Sequence, residues 1–150
     1  MISVSLERFI ALWTMPEYPP ALVSEEELSV VEARFGFRFP VDYRDAVLRF
    51  GLVSPTIALL DAIVDQELAM GDLSALLNPD EMIAATEGWR EMGLPDDMVA
   101  FASDCSGNLF CFGTQTDGIV FYFDHDFGTM RSVAPSFANW ISAFCDIAPA

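Results

Sequence analysis

The chain has 150 residues, 53% of them hydrophobic, and sets 23 carboxylates against seven basic residues, all arginine, for a formal charge of −16. That length makes one domain able to bury roughly 70% of the surface its unfolded chain exposes. The charge excludes electrostatic attraction to nucleic acid or anionic lipid and favours a basic partner.

In SLERFIALW, Leu6, Phe9, Ile10 and Trp13 recur at helical spacing, which predicts a helix that MPEYPP stops. A second helix is expected from Ser24, with Glu27 at the capping-box position, Leu28, Val31 and Phe35 on its buried face, and Gly36 at its end. A third follows Pro40, carrying Tyr43, Val47 and Phe50 to Gly51. TIALLDAIVDQEL, from Thr56 to Leu68, is long enough to favour a helix over a strand, with Leu60, Ile63, Val64 and Glu67 in successive turns. Another helix starts near Pro79 and presents Met82, Ala85, Trp89 and Met92 before Gly93.

From Met98 the pattern changes to short runs rich in β-branched and aromatic residues, MVAFAS, NLFCFG and GIVFYFD, with MRSVA as a last strand. The breaks at Ser106-Gly107 and Asp117-Gly118 hold residues that tolerate positive φ, as hairpin turns require. PSFANWISAFC then places Phe137, Trp140, Ile141 and Phe144 on one helical face. Helices, a meander of strands and a closing helix predict an α+β fold with an antiparallel β-sheet of about four to six strands. Strand 119–123 is apolar on both faces, Ile119, Phe121 and Phe123 against Val120 and Tyr122, so both faces need at least partial cover.

Charge is unevenly distributed. Residues 57–126 hold fourteen carboxylates and one arginine, whereas residues 1–56 hold eight and five. Cys105, Cys111 and Cys145 match no disulfide framework or zinc spacing, which suggests reduced thiols. The N-terminus, broken by Glu7 and Arg8, lacks the apolar core of a signal peptide, and no stretch reaches the roughly 18 apolar residues of a membrane span. A cytoplasmic location is therefore expected.

The only histidine lies in FYFDHD, residues 121–126, beside Asp124 and Asp126. As a metal site the triplet is weak: on a strand His125 faces away from both aspartates, and one histidine falls short of zinc or calcium patterns. A thiol nucleophile, Cys105 or Cys111 with His125, meets a second objection. Cys111 lies in an apolar strand, and Cys105 sits among acids that raise its pKa. SGNLFCFG lacks the spacing and lysine of a phosphate loop. The residues thus favour turn chemistry, with Asp124 and Asp126 accepting backbone N–H bonds and His125 tucked against the sheet end. No catalytic residue, metal or cofactor is assigned.

Two blocks carry a family resemblance. SEEELSVVEARFGFRFPVDYRDAVLRFG resembles the opening signature of the SUKH (Smi/Knr-type) superfamily, and MVAFASDCSGNLFCFGTQTDGIVFYFDHD with SFANWISAF is similar to that superfamily's second half. The chain departs at Gly51-Leu52, where many members have a glycine pair, and in a helical insert around 56–93. The resemblance implies a single SUKH-like domain over 1–150, without established catalysis, that works by binding another protein. It further implies a bacterial immunity protein that neutralises a cognate toxin by occlusion, the toxin being of nuclease type and delivered by a polymorphic or type VI secretion system. Asp104, Gly107, Asp124 and His125 match the superfamily's turn positions.

The expected toxin-binding residues are the acids Asp96, Asp97, Asp104, Asp117, Asp124 and Asp126, with Trp89 or Tyr122 as aromatic anchor. Gly107, Gly118 and His125 are expected to shape turns. The expected partner is a toxin with a basic surface, not nucleic acid or membrane, bound by a monomer or weak homodimer. A regulatory or scaffold domain of the same fold is the alternative, and a small hydrolase or metal-dependent enzyme the third.

Overall fold

A computed structural model describes residues 2–149. Three helices come first: α1 (Ile2–Trp13), α2 (Glu25–Phe35) and α3 (Val41–Phe50). Ser24 starts α2 through a reciprocal cap, its Oγ accepting from Glu27 N at 3.1 Å while Ser24 N donates to Glu27 Oε1 at 3.0 Å. Gly36, at φ 66°, ends it in the left-handed conformation. Gly51 closes α3 at φ 92° and ψ −178°, a region essentially reserved for glycine. A Cβ there would lie 2.8 Å from Pro20 Cβ and 2.9 Å from Ala21 O, because the chain pairs Ala21 with Leu52 at that point.

The stretch 56–93 contains α4 (Ile57–Asp65), the two-residue strand β1 (Ala75–Leu76) and α5 (Pro79–Arg90). It is therefore not purely helical, since it supplies an edge strand of the sheet. The buried face of α4 is Leu59, Ala62 and Ile63. Of the residues that the spacing sets in successive turns, Ile63 is buried and Val64 is 63% exposed. Apolar residues surround this helix on most sides, so periodicity alone could not select the face. Asn78 caps α5 as Ser24 caps α2, with Glu81 N donating to Asn78 Oδ1 at 2.8 Å. The helix ends at Arg90, and Met92 lies beyond it, 69% exposed.

Strands β2 (Met98–Ser103), β3 (Leu109–Gly113), β4 (Val120–Asp124) and β5 (Thr129–Ala134) complete an antiparallel meander in the order β1-β2-β3-β4-β5, and α6 (Phe137–Cys145) follows. Register pairs Phe110 with Tyr122 and Phe112 with Val120 on one face, and Cys111 with Phe121 and Leu109 with Phe123 on the other. Helices α3 and α6 cover the first face. Phe101 stacks on Phe112 at 3.9 Å, and Tyr43, Phe137 and Trp140 pack edge-on to Phe101. Helix α1 lies against α3 and α6, where Trp13 Nε1 donates to Phe144 O at 3.0 Å.

Helix α5 covers part of the second face and answers the two-sided apolarity of β4. Trp89 meets Phe123 at 6.2 Å. A bulge in β2 between Ala100 and Ala102 accompanies a second link, from Ala100 N to the buried Thr86 Oγ1 at 2.9 Å. Asp42 ties the layers together at the start of α6, its Oδ2 accepting from Ala138 N at 3.0 Å while Ser136 Oγ accepts from Asn139 N.

Candidate functional site

At one end of the sheet β2 turns into β3 and β4 into β5, and side chains lock the two turns together. Asp104, 7% exposed, is the hub. Its Oδ1 accepts from Ser106 N at 2.9 Å and Asn108 N at 2.8 Å, which folds SDCSGN into a turn with Gly107 at φ 86°. Its Oδ2 accepts from Asn108 Nδ2 at 3.2 Å and from the Tyr122 hydroxyl at 2.6 Å.

Asn108 carries the linkage to the second turn. Its Oδ1 accepts from His125 N at 3.1 Å and lies 2.6 Å from His125 Nδ1, so this ring nitrogen carries the hydrogen. The His125 ring packs on Trp89 at 5.1 Å, and Nε2 stands 3.3 Å from Asp126 Oδ1. Asp124 accepts from Asp126 N at 3.0 Å, as its expected turn role requires, whereas Asp126 meets the imidazole. Gly107 lies beside this ring, but a Cβ there would make only an ordinary contact, 3.6 Å from His125 Cε1, so its φ of 86° rather than space calls for glycine.

These geometries redistribute the expected binding residues. Asp104 is buried with its carboxylate fully engaged, so it shapes the surface from within. Trp89 and Tyr122 are half-buried, with Trp89 against Phe123 and His125 and Tyr122 hydrogen-bonded to Asp104. The exposed aromatic at this end is Phe127, 80% exposed in the β4–β5 turn beside Asp124 and Asp126. Its signal in the sequence was an aromatic residue inside a turn, DHDFGT, where no strand or helix face buries it.

Asp96, Asp97 and Asp117 are exposed at the opposite end, before β2 and in the β3–β4 turn. Five strand residues put roughly 17 Å between the two groups of acids. Gly118 takes φ 76° there and rests against Pro40.

Neither thiol in the strands and turns is set up as a nucleophile. Burial pushes the Cys111 pKa well above the ordinary thiol range. For exposed Cys105, desolvation raises the pKa first and the neighbouring Asp72 carboxylate adds to it. Among the described residues no group of three or more His, Cys, Asp or Glu side chains converges to hold a metal ion. Among the same residues, no helix is long and apolar enough to cross a membrane.

No curated protein matches this chain. The model of the SMI1 / KNR4 family (SUKH-1) matches residues 22–143, from just before α2 to within α6.

Proposed function

The chain belongs to the SMI1 / KNR4 family (SUKH-1), and from that premise we propose that it is an immunity protein that binds a cytosol-acting toxin and blocks it by occlusion. The family includes immunity proteins and is generally non-catalytic. The observation that carries the reading is Phe127. Phe127 is 80% exposed and offers a partner an aromatic side chain to bury, and it follows closely on His125, which Asn108 holds by two hydrogen bonds.

Asp124 and Asp126 flank this anchor and form the acidic rim of the docking surface. Asp96, Asp97 and Asp117 add to the long-range field of a chain with charge −16, which speeds encounter with a basic toxin without contacting it. A nuclease fits this chemistry, because its substrate groove must present cations to phosphates. Trp89, Tyr122 and Asp104 support the surface from below. The protein acts in the cytoplasm, where such a toxin would meet its substrate.

Co-expression with a candidate toxin from a neighbouring gene tests the reading, with growth rescue and a co-purifying complex as readouts. Rescue together with a complex supports immunity. A complex with a host protein and no rescue would favour the regulatory alternative.

A further inference from the structure

A second feature lies on the face of the sheet that α6 covers, away from the Phe127 tip. Between β5, α6 and the loop 69–71 a pocket of about 360 Å³ opens, within the range of small-molecule sites. Its aromatic lining is Phe110, Tyr122, Trp140 and Phe144, and Gly71 closes one side without a side chain. Register sets Arg131 opposite Tyr122, and the guanidinium carbon lies 5.1 Å from that ring's centre, so the cation shares the pocket face.

Three hydrogen-bond donors line this pocket without a protein acceptor among the described residues, and an occupant that displaced their water would have to replace it: the guanidinium of exposed Arg131, the side-chain amide of exposed Asn139 and the indole N–H of Trp140. Arg131 is conspicuous by charge as well. Residues 57–150 hold fifteen carboxylates and one other arginine, Arg90, which donates to the carbonyls of Asp96 and Met98. The guanidinium of Arg131 makes no ion pair among the described residues and stands at an apolar hole. A group that fills such a hole has to bring acceptors, and a carboxylate matches the planar fork of arginine.

We propose that this pocket binds a small carboxylic acid with a single aromatic or branched apolar body, the body against Phe110, Trp140 and Phe144 and the carboxylate on Arg131. The surrounding acids favour a monoanion over a multiply charged phosphate compound. The site does not depend on the Phe127 surface, so it stands or falls separately from toxin binding.

Titration of the full chain with phenylacetate and indole-3-acetate, each beside its primary amide, tests the proposal by calorimetry and by amide NMR shifts. Saturable binding of at least one acid is expected, with shifts centred on Trp140 and Arg131, and with its amide at least about tenfold weaker. Arg131→Gln, an exposed change, should bring the acid down to the amide's affinity, and Ala143→Leu at the pocket mouth should weaken both. Acid and amide of equal affinity, an unchanged Arg131→Gln variant, or no saturable binding of either acid would overturn it. Thermal unfolding of both variants, expected at the native temperature, confirms that neither result reflects misfolding.

Discussion

The hydroxyl of Tyr122 donates to Asp104 Oδ2 at 2.6 Å and accepts from Asn108 Nδ2 at 2.7 Å, which joins the centre of β4 to the β2–β3 turn. Removing it leaves a buried carboxylate short of one donor and Asn108 short of one acceptor. Tyr122→Phe should therefore cost about 1–3 kcal/mol in urea unfolding. A stability equal to that of the native protein would mean that the network adds nothing to holding the two turns.

Tyr43 gives the opposite expectation. Its ring is fully buried among Phe39, Phe101, Phe112 and Phe137, and its hydroxyl has no hydrogen-bond partner among the described residues. Tyr43→Phe removes an unsatisfied polar atom while keeping the ring, and should raise stability by up to about 1–2 kcal/mol. A loss of stability would indicate that the hydroxyl has a partner, such as an internal water.

The same two tyrosines set the alkaline limit. Burial pushes the Tyr43 pKa far above its ordinary value. For Tyr122 desolvation does so first, with the hydrogen bond to Asp104 and its charge adding to it. The unfolded chain ionises both near pH 10 while the fold keeps them neutral, so their contribution is full below that pH and is lost as the pH rises through and above it. Urea midpoints should fall between about pH 9 and pH 11. The Tyr43→Phe, Tyr122→Phe double variant should flatten that slope, and an unchanged slope would place the alkaline loss elsewhere.

Gly51 supplies a backbone test. Alanine there must adopt φ 92° and push a methyl group against Pro20 and the carbonyl of Ala21. Gly51→Ala should cost at least about 1–3 kcal/mol, measured by thermal or urea unfolding. Gly36→Ala, at φ 66° with open space around it, should cost less.

Features set by local chemistry were legible before the structure was known. Ser24 and Glu27 fixed the start of α2, Gly36 its end, and the glycines at 107 and 118 the hairpin turns, because each acts within a few residues of chain. The SUKH resemblance and the α+β class followed from the order of such elements. Strand β1 escaped notice because two residues carry no period. Its place comes from pairing with Ser103 and Ala102, which lie far along the chain. The buried face of α4 has a related cause, since tertiary packing selects Leu59, Ala62 and Ile63 from a segment apolar nearly all round.

The site divided in the same way. The turn role of Asp124 and the position of His125 against the sheet end could be read locally. That Asn108 would bridge Asp104 to His125 could not, because it joins residues brought together only by the β3–β4 register. The same register, which buries Tyr122 against Asp104, leaves Phe127 as the exposed aromatic of that end.

The most direct test of the central claim is the affinity of the purified protein for a candidate toxin encoded by a neighbouring gene, measured by calorimetry for the native chain and for Phe127→Asp. If the Phe127 tip is the docking anchor, Phe127→Asp should weaken binding by at least about thirtyfold, or roughly 2 kcal/mol, while thermal unfolding stays unchanged. Neutralising Asp96, Asp97 and Asp117 together should mainly slow association. Native affinity in Phe127→Asp, with binding lost instead in the triple variant, would put the interface at the opposite end of the sheet and contradict the account.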